Sequence, residues 1–317
     1  MGHSFMGHIG LAKETDWGTA VGATDYIEAL DESLTLALDR FETRNIYGGN
    51  YEPDDMAGVQ RIEGSISAAA HPIGVGYFLK GVFGQSSITE VLSGTLWTNE
   101  FATQQSDTSS QHPLPAYTFE IFRDVTSSQQ YDGAQFTSLE FSAAPNQDLR
   151  MTANLMCKGS QSIAKTTPSF PGSPANPFAF DTASISIGGT AVDLVEALTI
   201  NIDNQLEGIP ALNNSTEIAR VKRTGSVLIR ISGTMEFQDL TETDNFVNQT
   251  EQAFVATFFR ANSFQLAFDL PRVVYTAYPL GQSGRARNTV AFEGMARYLT
   301  TSATAARVSL TTTKSDY

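Results

Sequence analysis

The chain has 317 residues, 41% of them hydrophobic, with 20 Lys and Arg against 34 Asp and Glu for a net charge of −14. That balance argues against gripping nucleic acid by its phosphates, which needs clustered cations, and against an anionic membrane surface. One cysteine, Cys157, excludes an internal disulfide framework and a multi-cysteine metal site. The N-terminus lacks the cationic and apolar segments of a secretory leader, and no run of about 18 apolar residues is long enough to cross a bilayer as a helix. The expectation is a soluble acidic protein made in the cytoplasm.

In chain order the dominant periodicity is two, which predicts half-buried strands. The first is Ser33 to Asp39, then Ile62 to Ala68, Tyr117 to Phe122, Phe136 to Ala143 and Leu149 to Cys157. Ala183 to Ile187, Leu198 to Ile202, Val227 to Phe237, Phe264 to Phe268, Asn288 to Phe292 and Ala305 to Thr311 follow. Turn signals separate them at Tyr47–Asn50, Asp132–Gly133, Gly188–Gly189 and Gly281–Gly284. Two helices are expected, Pro72 to Val82 and Asp244 to Arg260. The fold class is therefore mostly β, as tandem antiparallel β-sandwich or half-barrel modules, each with a short flanking α-helix.

The chain also repeats. Glu32 to Asp39 aligns with Glu196 to Asp203 at an offset of 164, and each copy leads through polar residues to a Gly-Ser strand start, Gly64-Ser65 and Gly225-Ser226. Each then reaches a helix, an aromatic strand (Tyr117 to Phe122, Phe264 to Phe268) and final strands. The organisation read from this is an N-terminal arm (1–27), a first module (28–160), a connector (161–180) and a second module (181–317). In the connector, Pro168, Pro171, Pro174 and Pro177 recur at every third residue, a spacing suited to extended chain.

An active site is not legible. His3 and His8 lie in a Gly-rich arm, His71 and His112 each precede a proline, and Cys157 sits in an apolar strand as a structural thiol. Gly74-Val75-Gly76 lacks the third glycine of a dinucleotide fingerprint, since position 79 is Leu79. No cofactor or metal is expected. Positions 1–60 hold eleven carboxylates against Lys13, Arg40 and Arg44, which is −8 of the total −14. Such a cluster reads either as a solvated surface or as one that faces a polyanion without binding it.

Gly10-Leu11-Ala12-Lys13-Glu14-Thr15-Asp16-Trp17-Gly18-Thr19, followed by Tyr26-Ile27 and Ser33 to Leu36, resembles the start of tail tube proteins of long-tailed bacteriophages. Asp132 to Leu139, read as a turn into an outer strand, and Ile185 to Val192 before the Leu198 to Asn204 strand extend the resemblance over about residues 8–312. It implies a non-enzymatic virion protein whose rings stack into a hollow tail tube for double-stranded DNA. A duplicated chain implies trimeric rings, with hexameric rings as the alternative. The implied partners are other copies of itself, the tape-measure protein and DNA in the bore, and terminator and distal tail proteins at the ends.

If Leu34, Leu36, Leu38 and Leu198, Ile200, Ile202 pack inward, alternation turns Thr35, Asp39, Thr199, Asn201 and Asp203 to the other face. With Glu63, Ser65, Ser67, Thr234 and Glu236 these are the expected lumen wall. The polar stretches after the two matched strands supply the expected contacts between rings. They are Phe41, Glu42, Arg44, Tyr47, Tyr51, Asp54 and Asp55, then Leu206, Glu207, Leu212, Glu217 and Arg220, with Trp17 as an apolar anchor from the arm. A carbohydrate- or receptor-binding sandwich remains the alternative, with Trp97 and Tyr131 as its loop aromatics. An enzyme using Asp54 and Asp55 is a weaker one.

Overall fold

The computed structural model describes residues 3–42, 54–92, 95–103, 106–170, 176–260, 263–281 and 287–317. The N-terminal half runs β1 (His8–Lys13), β2 (Asp25–Ile27), β3 (Ala29–Glu32), β4 (Thr35–Glu42), β5 (Asp55–Ala69), α1 (Val75–Phe83), β6 (Gly84–Leu92) and β7 (Leu96–Thr103). It continues through β8 (Tyr117–Phe122), β9 (Ser127–Ala143), β10 (Arg150–Cys157) and β11 (Gly159–Ala164). The C-terminal half runs β12 (Ala183–Ile187), β13 (Thr190–Ala191), β14 (Val195–Asp203), β15 (Leu206–Ile209), β16 (Arg220–Arg223) and β17 (Leu228–Glu236). It ends with α2 (Thr241–Val247), β18 (Gln252–Arg260), β19 (Phe264–Ala277), β20 (Thr289–Ala296) and β21 (Arg307–Thr312). All pairings are antiparallel.

In the first half, a long bent strand serves two sheets. The early part of β9 lies between β8 and β11, and β8 carries β1 and then β2. The later part pairs with β10, which pairs with β5, which carries β3 and β4. The bend falls near Gly133, whose φ of +64° suits a kink inside a strand, and there the register with β8 shifts.

The C-terminal half repeats this scheme. The early part of β19 lies between β18 and β21, and β18 carries β12 and then β13. The later part pairs with β20, which pairs with β17, which pairs with β14. The offset of 164 has a physical counterpart. A Cβ on Gly64 would lie 2.5 Å from the Ser33 carbonyl oxygen, and one on Gly233 would overlap the carbonyl oxygen of Ala197, which is position 33 plus 164. Both halves thus need a residue without a side chain where the second strand crosses the start of the first.

The halves join twice. β14 pairs with the later part of β9, from Leu198↔Ala143 to Asp203↔Ser138. The β6–β7 hairpin, which has no counterpart between α2 and β18, adds β7 to β21. The first junction makes one continuous sheet, β4-β5-β10-β9-β14-β17-β20-β19. Its apolar face is buried through Ile62, Ile66, Met151, Ala153, Leu139, Phe141, Ile200, Ile202, Ile229, Ile231 and Phe292. α1 covers the middle of that face. A Cβ on its Gly81 would strike the Phe136 ring, and Asn204 after β14 donates to the Val82 carbonyl at 3.1 Å.

Several expectations need correction. The helix expected over Asp244 to Arg260 is only α2, and Gln249 with φ +52° separates it from strand β18. Phe254, Ala256 and Phe258 alternate into the core against Leu270, Phe268 and Leu266, so period two wins. The counterpart of β8 is therefore β18, and that of β9 is β19. Asp132–Gly133 is the bend of β9 rather than a turn. Residues 8–13 and 25–27 are sheet strands instead of a free arm, and His8 is buried beside Glu120 at 3.6 Å. The connector begins inside β11, and Phe178 is buried, its amide donating to Ala70 at 3.0 Å. Leu34 is buried as expected, but Leu36 and Leu38 are exposed because β4 is paired along one side only among the described residues.

Candidate functional site

The face opposite the core is polar over β5, β10, β9, β14 and β17, and beyond Arg230 its central row ends on the half-buried Met295 of β20 and Val274 of β19. One row runs Ser67, Thr152, Glu140, Asn201 and Arg230; the rows beside it run Ser65, Asn154, Ser138 and Asp203, and Arg150, Ser142, Thr199, Ser232 and Glu293. Alternation forces this: each strand sends every second residue to the core, so the other set shares one surface.

The ten residues expected for a lumen wall lie on this one face of the sheet. Thr35 lies opposite Glu63, Thr234 opposite Ala197, and Glu236 opposite Thr289. Asp39 follows a register shift but pairs with Arg61 (3.2 Å), the neighbour of Ala37 on the same face. Local hydrogen bonds link neighbouring side chains across the surface. Ser67 Oγ and Thr152 Oγ1 are 3.1 Å apart, Asn154 Nδ2 donates to Ser138 Oγ (2.7 Å), and Asn201 Nδ2 donates to Glu140 (3.4 Å). Sequence reasoning missed the contributions of β9, β10 and β20, although the same alternation test run on those strands finds them. β10 also brings Arg150 onto the face and β17 brings Arg230, so it is mixed in charge. Glu63, Glu140, Asp203, Glu236 and Glu293 stand with Arg61, Arg150 and Arg230. Arg287 bridges Glu196 and Glu236 at its margin.

The expected inter-ring residues divide. Phe41, Glu42, Asp54 and Asp55 are exposed where β4 and β5 lead to residues 43–53, and Arg40 holds Asp55 there at 2.8 Å. Arg44, Tyr47 and Tyr51 lie outside the described residues. The second stretch is a hairpin, β15–β16, folded back on the first half. Ile218 and Val221 are buried with Ala116 and Trp17, Leu206 packs against them, and Gln60 donates to Thr216 at 2.7 Å. Only its far end is fully open, at Leu212, with Glu207 and Arg220 exposed and Glu217 half-buried.

Trp17 is a correction. It is buried within its own chain, its indole Nε1 donating to the Gly133 carbonyl (3.0 Å) under Lys158. The Glu14…Gly18 motif acquires a reason here. The buried Glu14 carboxylate accepts from Gly18 N (2.8 Å), Gly133 N (2.7 Å) and Thr118 Oγ1 (2.7 Å), pinning the N-terminal segment to the bend of β9. Trp97 and Tyr131 lie in strands, and Tyr131 is buried with its hydroxyl donating to Leu34, so neither is a loop aromatic. Among the described residues no three His, Cys, Asp or Glu are grouped to hold a metal, and no helix is long and apolar enough to cross a membrane.

The family model for phage tail tube proteins matches residues 4–296. The chain belongs to the phage tail tube protein family. This is a structural family of the virion tail, not an enzyme family, and membership implies self-association into a tube. No curated protein matches the sequence.

Proposed function

We propose that this tail tube protein forms stacked rings around a bore lined by the polar face, and that the bore carries double-stranded DNA out of the virion. One observation carries the reading: a single eight-stranded sheet, apolar on one side and polar on the other, built from two halves with the same pairing scheme. We read those halves as duplicated modules, the first running from β1 to β11 (residues 8–164) and the second from β12 to β21 (residues 183–312). Three chains then close a ring of roughly twenty-four strands, about 115 Å around and about 37 Å across between backbones, and wider once the strands tilt. Six chains would double that circumference.

The lumen is set by Thr35, Asp39, Glu63, Ser65, Ser67, Thr199, Asn201, Asp203, Thr234 and Glu236 together with Glu140, Glu293, Arg150 and Arg230. DNA presents about one negative charge per 1.7 Å of axis. A wall of serine, threonine and asparagine with a modest acidic excess does not hold it, and with a screening length of about 8 Å repulsion acts only close to the wall. The exposed ends of the β4–β5 pair and of β15–β16 are the surfaces available to adjacent rings. The tape-measure protein in the bore and terminator and distal proteins at the ends complete the proposed partners, with assembly in the host cytoplasm. Negative-stain microscopy of concentrated protein tests this: hollow tubes that do not retain duplex DNA are expected, and compact monodisperse particles overturn it.

A further inference from the structure

Two arginines of the polar face occur in both halves. Gly64 and Gly233 hold equivalent places, and the ladders carry the equivalence outward. Arg61 stands three residues before Gly64, and Arg230 three before Gly233. Arg61 lies opposite Ala37, and Arg230 lies opposite Asn201, which is position 37 plus 164. On the neighbouring strands β10 and β20, Thr152 lies opposite Ser67 and Thr289 opposite Glu236, each three residues beyond its glycine. Arg150 and Arg287 precede those threonines by two, and the Phe237 amide, donating to the Asn288 carbonyl at 3.0 Å, carries the second ladder toward Arg287. Around these arginines the face has diverged: Glu63 is matched by Ser232, Ser67 by Glu236 and Asn154 by Ala291.

Three of the four carry a carboxylate of their own. Arg61 Nε donates to Asp39 Oδ2 at 3.2 Å, Arg150 Nε lies 3.8 Å from Asp148 Oδ1, and Arg287 bridges Glu236 at 3.5 Å and Glu196. Arg230 is exposed and forms no ion pair among the described residues; the carboxylate of Asp203, the counterpart of Asp39, accepts instead from the Gln205 amide at 2.8 Å. Glu63 is the converse, a carboxylate on the same face with no cation bound among the described residues. A phosphate that meets a lone guanidinium gains a charge-assisted, two-pronged contact and releases counterions. One that approaches Arg61 meets the Asp39 carboxylate too, far inside the screening length of about 8 Å, and the two charges cancel.

Resting on the tube reading above, we propose that Asp39, Asp148 and the Glu196–Glu236 pair keep duplex DNA from sticking by occupying the arginines of the bore, rather than by adding to its acidic total. What decides release is then where each carboxylate sits. The wall tolerates its arginines as long as each has a neighbour that cancels it, and Arg230 is what Arg61 becomes when that neighbour is missing.

The test compares tubes of Asp39→Asn with tubes of Glu63→Gln. Each variant removes one negative charge from the same face at an exposed side chain of unchanged size, but only the first frees an arginine. Assembled tubes are mixed with a fluorescent duplex of about 20 base pairs and sedimented. At about 50 mM salt the Asp39→Asn tubes are expected to hold at least about tenfold more duplex than the Glu63→Gln tubes, and to lose the excess by about 200 mM. Adding Arg61→Gln to Asp39→Asn is expected to abolish the excess, and retention that persists contradicts the role of Arg61. Equal retention by the two single variants, or none by either, overturns the proposal and leaves the tube reading intact; an unmodified chain that forms no tubes overturns the tube reading itself. Should Asp39→Asn fail to assemble, Asp148→Asn frees Arg150 in its place, and retention no greater than that of Glu63→Gln refutes the masking.

Discussion

The equivalence of Gly64 and Gly233 makes a quantitative prediction. A methyl added at Gly64 meets the Ser33 carbonyl oxygen at 2.5 Å and the Leu34 Cα at 2.7 Å, both backbone atoms that cannot rotate away. Comfortable separation is about 3.5–4.0 Å, so β5 must move about 1 Å from the chain it crosses. Overpacking on that scale costs about 1–3 kcal/mol. At about 2–4 °C per kcal/mol for units of this size, Gly64→Ala is expected to melt about 2–12 °C lower, and Gly233→Ala likewise. The two sites are four strand spacings or roughly 19 Å apart. Their effects therefore add within about 0.5 kcal/mol in the double variant. Gly74→Ala is the control: a Cβ there meets nothing within 4 Å and its φ of −66° suits alanine, so it is neutral or gains up to about 1 kcal/mol. The assay is thermal unfolding followed by circular dichroism at concentrations below assembly. Melting of both glycine variants within 1 °C or so of the parent refutes the shared close approach and with it the residue-level equivalence of the halves.

Three further predictions concern the anchor of the N-terminal segment. Trp17→Ala removes a buried ring and its hydrogen bond to Gly133, at about 3–5 kcal/mol; limited proteolysis is expected to cut the loosened 210–216 loop faster than in the parent. Asp132 is raised above the ordinary carboxylate range by burial and then by the Glu14 and Glu217 carboxylates. A raised carboxyl stabilises the fold below its unfolded value and loses that contribution as pH rises through its folded value. Asp132→Asn is therefore expected to raise the melting temperature near pH 7, with the difference vanishing near pH 4; a fall at pH 7 contradicts this. Burial, then the Asp132 and Glu14 charges, push the Cys157 thiol far up, so iodoacetamide at pH 8 is expected to label it only after denaturant is added.

Much of the fold was legible because half-buried strands write their faces into the sequence. Leu198, Ile200 and Ile202 against Thr199, Asn201 and Asp203 identify both sides of β14, and the same rule assembled the polar face before its neighbours were known. Strands buried on both sides were not legible. β1 is buried at five of its six residues, so it carries no alternation. β18 places Phe258 in the core and Phe259 outside, and that consecutive pair mimics a helical face. Gly133 carries the glycine of a turn yet serves a bend, because only the pairing of β9 on both sides reveals that the strand continues. Leu36 and Leu38 show the limit of pattern reading. Their apolar identity suits a buried strand, yet β4 is paired along one side only among the described residues, which leaves both exposed.

The most direct measurement is a cross-section of assembled tubes by electron cryomicroscopy at a resolution that traces strands. The account predicts three chains per ring, a continuous inner wall of about twenty-four strands, and the row Ser67, Thr152, Glu140, Asn201 and Arg230 turned toward the axis. Six chains per ring, or that row on the outer surface of the tube, contradicts it.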